Sequence, residues 1–259
     1  MSDETLRDWL GADGVDPLAS ARQGARPARP KRFYEAAGVQ EGEGGYVLAL
    51  DGRPARTPAR SPLALPTRAL AEAVAAEWEA QVGTIDPAAM PLTRLANSAI
   101  DGVAPRREAV LDDLAAYAGT DLVVYRAGSP DSLVAAQAAA WDPVLDWARE
   151  ALGVRYILGE GVMHVAQDED SLETVRAALR ATEGPFRLAA LHALTTLAGS
   201  VLIALGTARG RLTPEEGWLA ANVDEDFQAR VWGYDAEAAA RRAAREAEFL
   251  AAGRMHALA

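Results

Sequence analysis

From Leu188 to Ala208 the chain runs 21 residues without a formal charge. As a helix this stretch is about 31 Å long, enough to cross a bilayer or the middle of a domain. His192, Thr195, Thr196, Gly199 and Ser200 dilute it, and neither flank carries an aromatic belt. The segment is therefore expected to be a buried central helix, apolar all round because it is covered on every side. Such a helix needs a shell, and the rest of the chain has to supply one.

Most of the second half has the period of helices. Apolar spacing and caps predict helices at Thr93–Asp101, Pro105–Ala118, Ser132–Leu152, Ser171–Ala181, Pro185–Leu205, Thr213–Trp232 and Ala236–Ala251. Two strand-like interruptions are expected, at Asp121–Arg126 and around Tyr156–Val165. Regular alternation of strand and helix, which would mark a Rossmann or barrel enzyme, is missing.

Ahead of this lies a different pattern. Tyr46–Leu50 meets Asp51-Gly52, a type I′ hairpin signal, and Arg53–Thr57 is expected to return as the partner strand. Ser61–Pro66, which contains Pro62 and Pro66, has the marks of an edge segment. Thr67 then caps a helix to about Gln81, with Leu70, Val74 and Trp78 spaced four apart. The fold class expected is α+β: a small β-rich domain at 32–92 followed by a larger, mainly helical domain at 93–259. Residues 1–31, rich in Gly, Pro and Ala, are expected to form a flexible extension.

A net charge of −11 argues against nucleic acid as a partner, because phosphates call for a basic surface. With no cysteine there is no disulfide, thiolate nucleophile or Cys-based zinc site. The N-terminus lacks a basic n-region followed by an apolar h-region, so a cytoplasmic protein without membrane insertion is expected. No heptad repeat is present, and a monomer is expected.

The helix expected at Thr213–Trp232 carries two unlike faces. Thr213, Pro214 and Glu216 have the spacing of a capping box with proline at the first helical position. Leu219, Val223, Phe227, Val231 and Tyr234 fall on one side, the expected core stripe. Trp218, Asn222, Glu225 and Trp232 fall on the opposite side, the last three within about 40° of Trp218. Two tryptophans around an acid and an amide call for cover, either from a second layer of this chain or from a partner. Asp224 and Asp226 point away from Glu225 and are expected in solvent or in ion pairs, with Arg230 as one partner.

Chemistry finds little support. No Walker loop, Rossmann fingerprint, nucleophile elbow or zincin motif occurs. Gly159–His164 has the glycines of a turn. His164, His192 and His256 lack metal-ligand spacing, and His192 within the apolar segment is expected to be a hydrogen-bonded core residue. No cofactor, metal or catalytic residue is assigned.

Several short motifs occur together in order. They are Arg32-Phe33-Tyr34, Leu50-Asp-Gly-Arg-Pro54 with Thr57-Pro58, Leu63–Pro66, Glu77-Trp78, Ile85 with Pro87, Met90-Pro-Leu-Thr93, Asn97–Asp101, Tyr117 with Thr120-Asp-Leu122, and Asp224–Gln228 to Trp232-Gly233. Together they resemble the assembly chaperones for the α subunit of the F-type ATP synthase, found in mitochondria and α-proteobacteria. The resemblance spans Arg32 to Gly233. It implies a chaperone, not an enzyme, that binds the unassembled α subunit and prevents its aggregation before it meets β. It implies the bacterial cytoplasm here and the mitochondrial matrix for eukaryotic relatives. The acid of the family's Glu-x-x-Gln block matches Glu225, with Gln228. The client-binding residues expected are thus Glu225, Gln228, Trp218, Asn222 and Trp232. An acid/base enzyme using Glu225 with His164 or His192 in a cleft between the domains, and a scaffold subunit that stays in the finished complex, remain as alternatives.

Overall fold

The computed structural model describes residues 29–161, 163–233 and 235–259. The extension expected at 1–31 therefore lies almost wholly outside the described residues, as does Tyr234. The chain divides into two compact units: one runs to Pro105 and includes Leu258–Ala259, and the other is Arg106–Ala257. The fold is α+β, with the strands concentrated in the first unit and helices dominating the second.

In the first unit, β1 (Ala37–Gly42) and β2 (Gly45–Leu50) pair antiparallel, with Ala37 opposite Leu50 and Gly42 opposite Gly45. On its other edge β2 takes β3 (Arg53–Pro54) and β4 (Ala64–Leu65). The turn between β2 and β3 has φ of 48° at Asp51 and 74° at Gly52, the double positive φ that a type I′ hairpin needs. Central β2 buries Val47, Leu48, Ala49 and Leu50, and helix α1 (Arg68–Glu79) lays Leu70 and Val74 against the sheet. β1 has no counterpart among the sequence expectations. Its glycines and Gln-Glu hide the alternation, and only pairing with β2 makes it a strand.

Motif residues of this unit act as hydrogen-bond staples. Glu77 of α1 accepts from the backbone N–H groups of Leu92 and Thr93 at 2.7 and 2.8 Å and from the Thr93 hydroxyl at 2.7 Å. It thereby fills the bare first turn of α2 (Pro91–Asn97), a turn whose own cap residue, Met90, makes no side-chain capping bond. Burial still pushes the Glu77 carboxyl above its ordinary range, against the lowering effect of those three donors. Asp101 accepts from Thr57 Oγ1 at 2.7 Å, and Asp51 from the N–H groups of Glu35 and Ala36, both at 2.9 Å. Arg32 lies 4.6 Å from the centre of the Tyr34 ring and donates to the carbonyls of Tyr34, Glu79 and Gln81.

The second unit contains α3 (Arg107–Ala118), α4 (Asp131–Trp147), α5 (Glu169–Arg180), α6 (Pro185–Ala198), α7 (Val201–Ala208), α8 (Pro214–Ala221), α9 (Val223–Trp232) and α10 (Ala236–Leu258), the last of which ends in the first unit. The single helix expected across Pro185–Leu205 is two. Gly199 turns left-handed at φ 65° to end α6, and Ser200 caps α7 by accepting from Ile203 N at 3.0 Å. Every residue from Val201 to Thr207 is buried, and α3, α4, α6 and α8 surround α7, so the central position survives the break. Among the described residues no helix is long and apolar enough to cross a membrane. His192 is buried with Nε2 2.9 Å from Asp113 Oδ2, the hydrogen-bonded core histidine expected.

The two strand-like interruptions find each other. β5 (Tyr125–Arg126), which comes directly after a 3₁₀ turn at Leu122–Val124, pairs parallel with β6 (Gly159–Glu160). Just ahead of them Asp121, fully buried, accepts from Val123 N at 3.2 Å and from Leu202 N at 3.0 Å, fixing the start of α7. Burial raises its pKa to about 6 despite these donors. A carboxyl raised in this way stabilises the fold fully below its unfolded pKa, and that contribution is lost as pH rises through about 6. Relative to Asp121→Asn, the parent should therefore gain about 1 kcal/mol between pH 7 and pH 5. Paired urea titrations at the two pH values test this, and a constant difference would place the carboxyl's pKa elsewhere.

Candidate functional site: the outward face of two short helices

The start of α8 is specified as the sequence indicates. Thr213 Oγ1 accepts from Glu216 N at 3.1 Å, and Glu216 Oε2 accepts from Thr213 N at 2.8 Å, closing the capping box. Gly217 and Gly253 let α8 approach its neighbours closely. A Cβ on Gly217 would sit 2.5 Å from Thr207 Oγ1, and one on Gly253 2.6 Å from Pro214 Cγ. Beside Gly217, Trp218 is fully buried, its ring centre 5.7 Å from that of Phe249, with the Arg242 and Arg245 guanidinium carbons each 5.5 Å from the indole centre.

The one helix expected at Thr213–Trp232 breaks at Asn222. Its backbone leaves helical values, at φ −116° and ψ 20°, and its buried amide donates back to Trp218 O at 2.8 Å. Trp218 and Asn222 therefore form the inner support, and the break resets the rotation of α9 relative to α8. Trp232 stands 85% exposed, so the four residues expected on one face are divided between the interior and the surface.

The expected core stripe is corrected by the same break. Leu219 is 57% exposed and Val231 56%, while Val223 and Phe227 are half-buried. Interior contacts are made instead by Trp218 and, from α4, by Trp141, whose Nε1 donates to Ala220 O at 2.7 Å. Tyr234, also expected in the stripe, lies outside the described residues. Ala136, Leu219, Val223, Asp226 and Arg230 line a shallow depression of about 420 Å³ on this outward side.

Charged and polar groups lie among these residues. Glu225 is half-exposed, 3.4 Å from Arg245, which also donates to Leu197 O at 3.3 Å. Gln228 is exposed. The partners of the two aspartates differ from the expected Arg230. Asp224 accepts from buried Gln137 at 2.7 Å, and Asp226 pairs with Arg242 at 2.7 Å. Arg230 instead donates from Nε to the Asp226 carbonyl at 3.3 Å and lies over Phe227. Arg242 and Arg245 thus tie the acids of α9 to α10 while covering Trp218.

These contacts do not join Glu225 to either histidine. Glu225 faces Arg245, His192 bonds Asp113, and His164 Nδ1 lies 3.3 Å from the Tyr125 hydroxyl. Among the described residues no group of three or more His, Asp or Glu is placed to hold a metal ion. Exposed Leu219, Val231 and Trp232 among charged and polar side chains have the composition of a protein-docking surface.

Comparison with known proteins gives the chain a family. A family model described as ATP12 chaperone protein matches residues 31–149. The structure of Atp12 from Paracoccus denitrificans is 47% identical, with a TM-score of 0.82 over 88% of this chain and 98% of that one. A mutant of the same P. denitrificans protein matches at 45% identity and a TM-score of 0.82, over 89% and 99% of the two chains. A candidate chaperone from Agrobacterium tumefaciens is 44% identical, with a TM-score of 0.86 over 98% of this chain and 97% of that one. The chain belongs to the ATP12 chaperone family, the ATP synthase assembly chaperones that its motifs resemble.

Proposed function

We propose that this chaperone captures the unassembled α subunit of the F-type ATP synthase catalytic hexamer and keeps it from aggregating until it meets β. An α subunit waiting for β exposes an obligate interface, apolar enough to drive self-association. The observation that carries the reading is the outward side of α8 and α9. Leu219, Val231 and Trp232 stand in solvent there, with Glu225, paired to Arg245, and exposed Gln228 as the polar groups. Trp218 and Asn222 belong to the same site as its support, holding the helices from within. Capture takes place in the bacterial cytoplasm.

The direct test is capture by the tagged protein of ATP synthase α and β subunits expressed separately. Retention of α but not β is expected; equal capture of both, or of neither, overturns the proposal. Glu225 supplies a finer test. A half-exposed ion pair at 3.4 Å contributes about 0–1 kcal/mol, so Glu225→Lys should keep its circular dichroism spectrum while setting a second cation beside Arg245. The variant is expected to fold and to suppress client aggregation poorly; full protection would remove Glu225 from the mechanism.

A further inference from the structure

Elsewhere in the helical unit, the end of α5, the start of α6, the end of α7 and α10 enclose a depression of about 200 Å³. Its polar lining is Thr182, Glu183, Arg187, Arg209 and His256. We propose that this depression binds a compact oxyanion, a phosphate or a carboxylate, held between Arg187 and Arg209.

Charge and burial point the same way. In a chain of net charge −11, arginine has abundant acids to pair with, and Arg126, Arg176, Arg242 and Arg245 each do so. Arg187 and Arg209 have no ion-pair partner among the described residues, although Glu183 lines the same depression. Arg187 Nε is also buried without a hydrogen-bond partner among them. That buried Nε is out of a ligand's reach, but the terminal N–H groups of Arg187 and Arg209 make no hydrogen bond among the described residues, and a bound oxyanion would accept from them in charge-assisted hydrogen bonds.

The surroundings suit such a ligand. α6 begins at Pro185 behind Gly184, with no side chain capping its first turn, so the positive end of a 14-residue helix lies beside the two arginines. Burial first, and the charge of Arg187 second, lower the His256 pKa to about 4. At neutral pH the ring is therefore uncharged, with one N–H to donate. A volume of about 200 Å³ suits a single anionic group, since pockets for whole small molecules run to about 300–1,000 Å³. Glu183 opposes any anion and tempers the affinity.

Imidazole resonances of His256 in the full chain at pH 7 provide a local readout. Inorganic phosphate and acetate are titrated separately, with chloride at matched ionic strength as the control. A saturable His256 shift is expected with at least one of them, and the anion that saturates at the lower concentration identifies the preferred group. Arg209→Gln, an exposed position, should weaken that binding about ten-fold or more, the value of one charge-assisted hydrogen bond. Glu183→Gln should tighten it. The proposal is overturned if neither anion gives a shift beyond the chloride control, or if Arg209→Gln binds as the parent does.

Discussion

Trp218→Ala is expected to destabilise the helical unit by about 3–5 kcal/mol, the range for truncating a fully buried tryptophan. The indole is wholly enclosed, packs against Phe249 and lies beneath both Arg242 and Arg245. Alanine removes the apolar area and leaves a cavity that the rigid contacts at Gly217 and Gly253 cannot close by sliding α8 inward. Trp218→Phe should cost much less. Trp218 Nε1 has no hydrogen-bond partner among the described residues, so phenylalanine gives up volume but no bond. Urea unfolding tracked by circular dichroism reads both variants. An alanine variant with an unchanged midpoint would mean that the ring is not part of the core. Loss of client capture in Trp218→Ala is then expected to track the unfolded fraction.

Local rules made parts of this fold legible. The Asp51-Gly52 turn, the Thr67 cap, the Thr213–Glu216 capping box and the central apolar segment each depend on a few adjacent residues, and each is present. The features that escaped depend on distant partners. β1 is a strand because β2 lies beside it, and the Glu77 carboxylate caps a helix that begins 14 residues later. The break at Gly199-Ser200 had a local signal, a glycine and then a capping hydroxyl, but the long uncharged run masked it. Asn222 with Asp224, Glu225 and Asp226 just after it is likewise a helix-start pattern, acids gathered in a first turn. Treating 213–232 as one cylinder hid that pattern and assigned the apolar row to the wrong side.

The same error explains how the candidate site was half legible. On an uninterrupted helix the branched and aromatic residues at spacing four look like the core, and a tryptophan pair with an acid looks like the surface. Both faces are apolar enough to be buried, so periodicity alone cannot choose between them. The choice is made by Gln137 and Trp141 of α4 and by Arg242 and Arg245 of α10. These bond or cover the inner side and leave Leu219, Val231 and Trp232 to solvent. Gln228 comes from family resemblance alone, whereas helical spacing already sets Glu225 on the tryptophan face and the resemblance adds its role.

Trp232→Ala should have the opposite signature to Trp218→Ala, leaving stability within about 0.5 kcal/mol of the parent and weakening α-subunit capture about 30-fold or more. At 85% exposure the indole contributes little packing to this chain, so its removal opens no cavity. Covering about 200 Å² of indole by a client yields about 5 kcal/mol gross, of which association and side-chain ordering leave about 2 kcal/mol. Leu219→Asp tests the exposed apolar residue of α8 by placing a charge where the client's apolar surface would lie, and it too should fold and fail to capture. Affinity measured on the two folded variants separates a docking role from a structural one. If both capture the α subunit as the parent does, the client lies on another surface and the apolar row needs a different occupant. If Trp232→Ala alone is silent, the contact is centred on the depression lined by Leu219 and Val223.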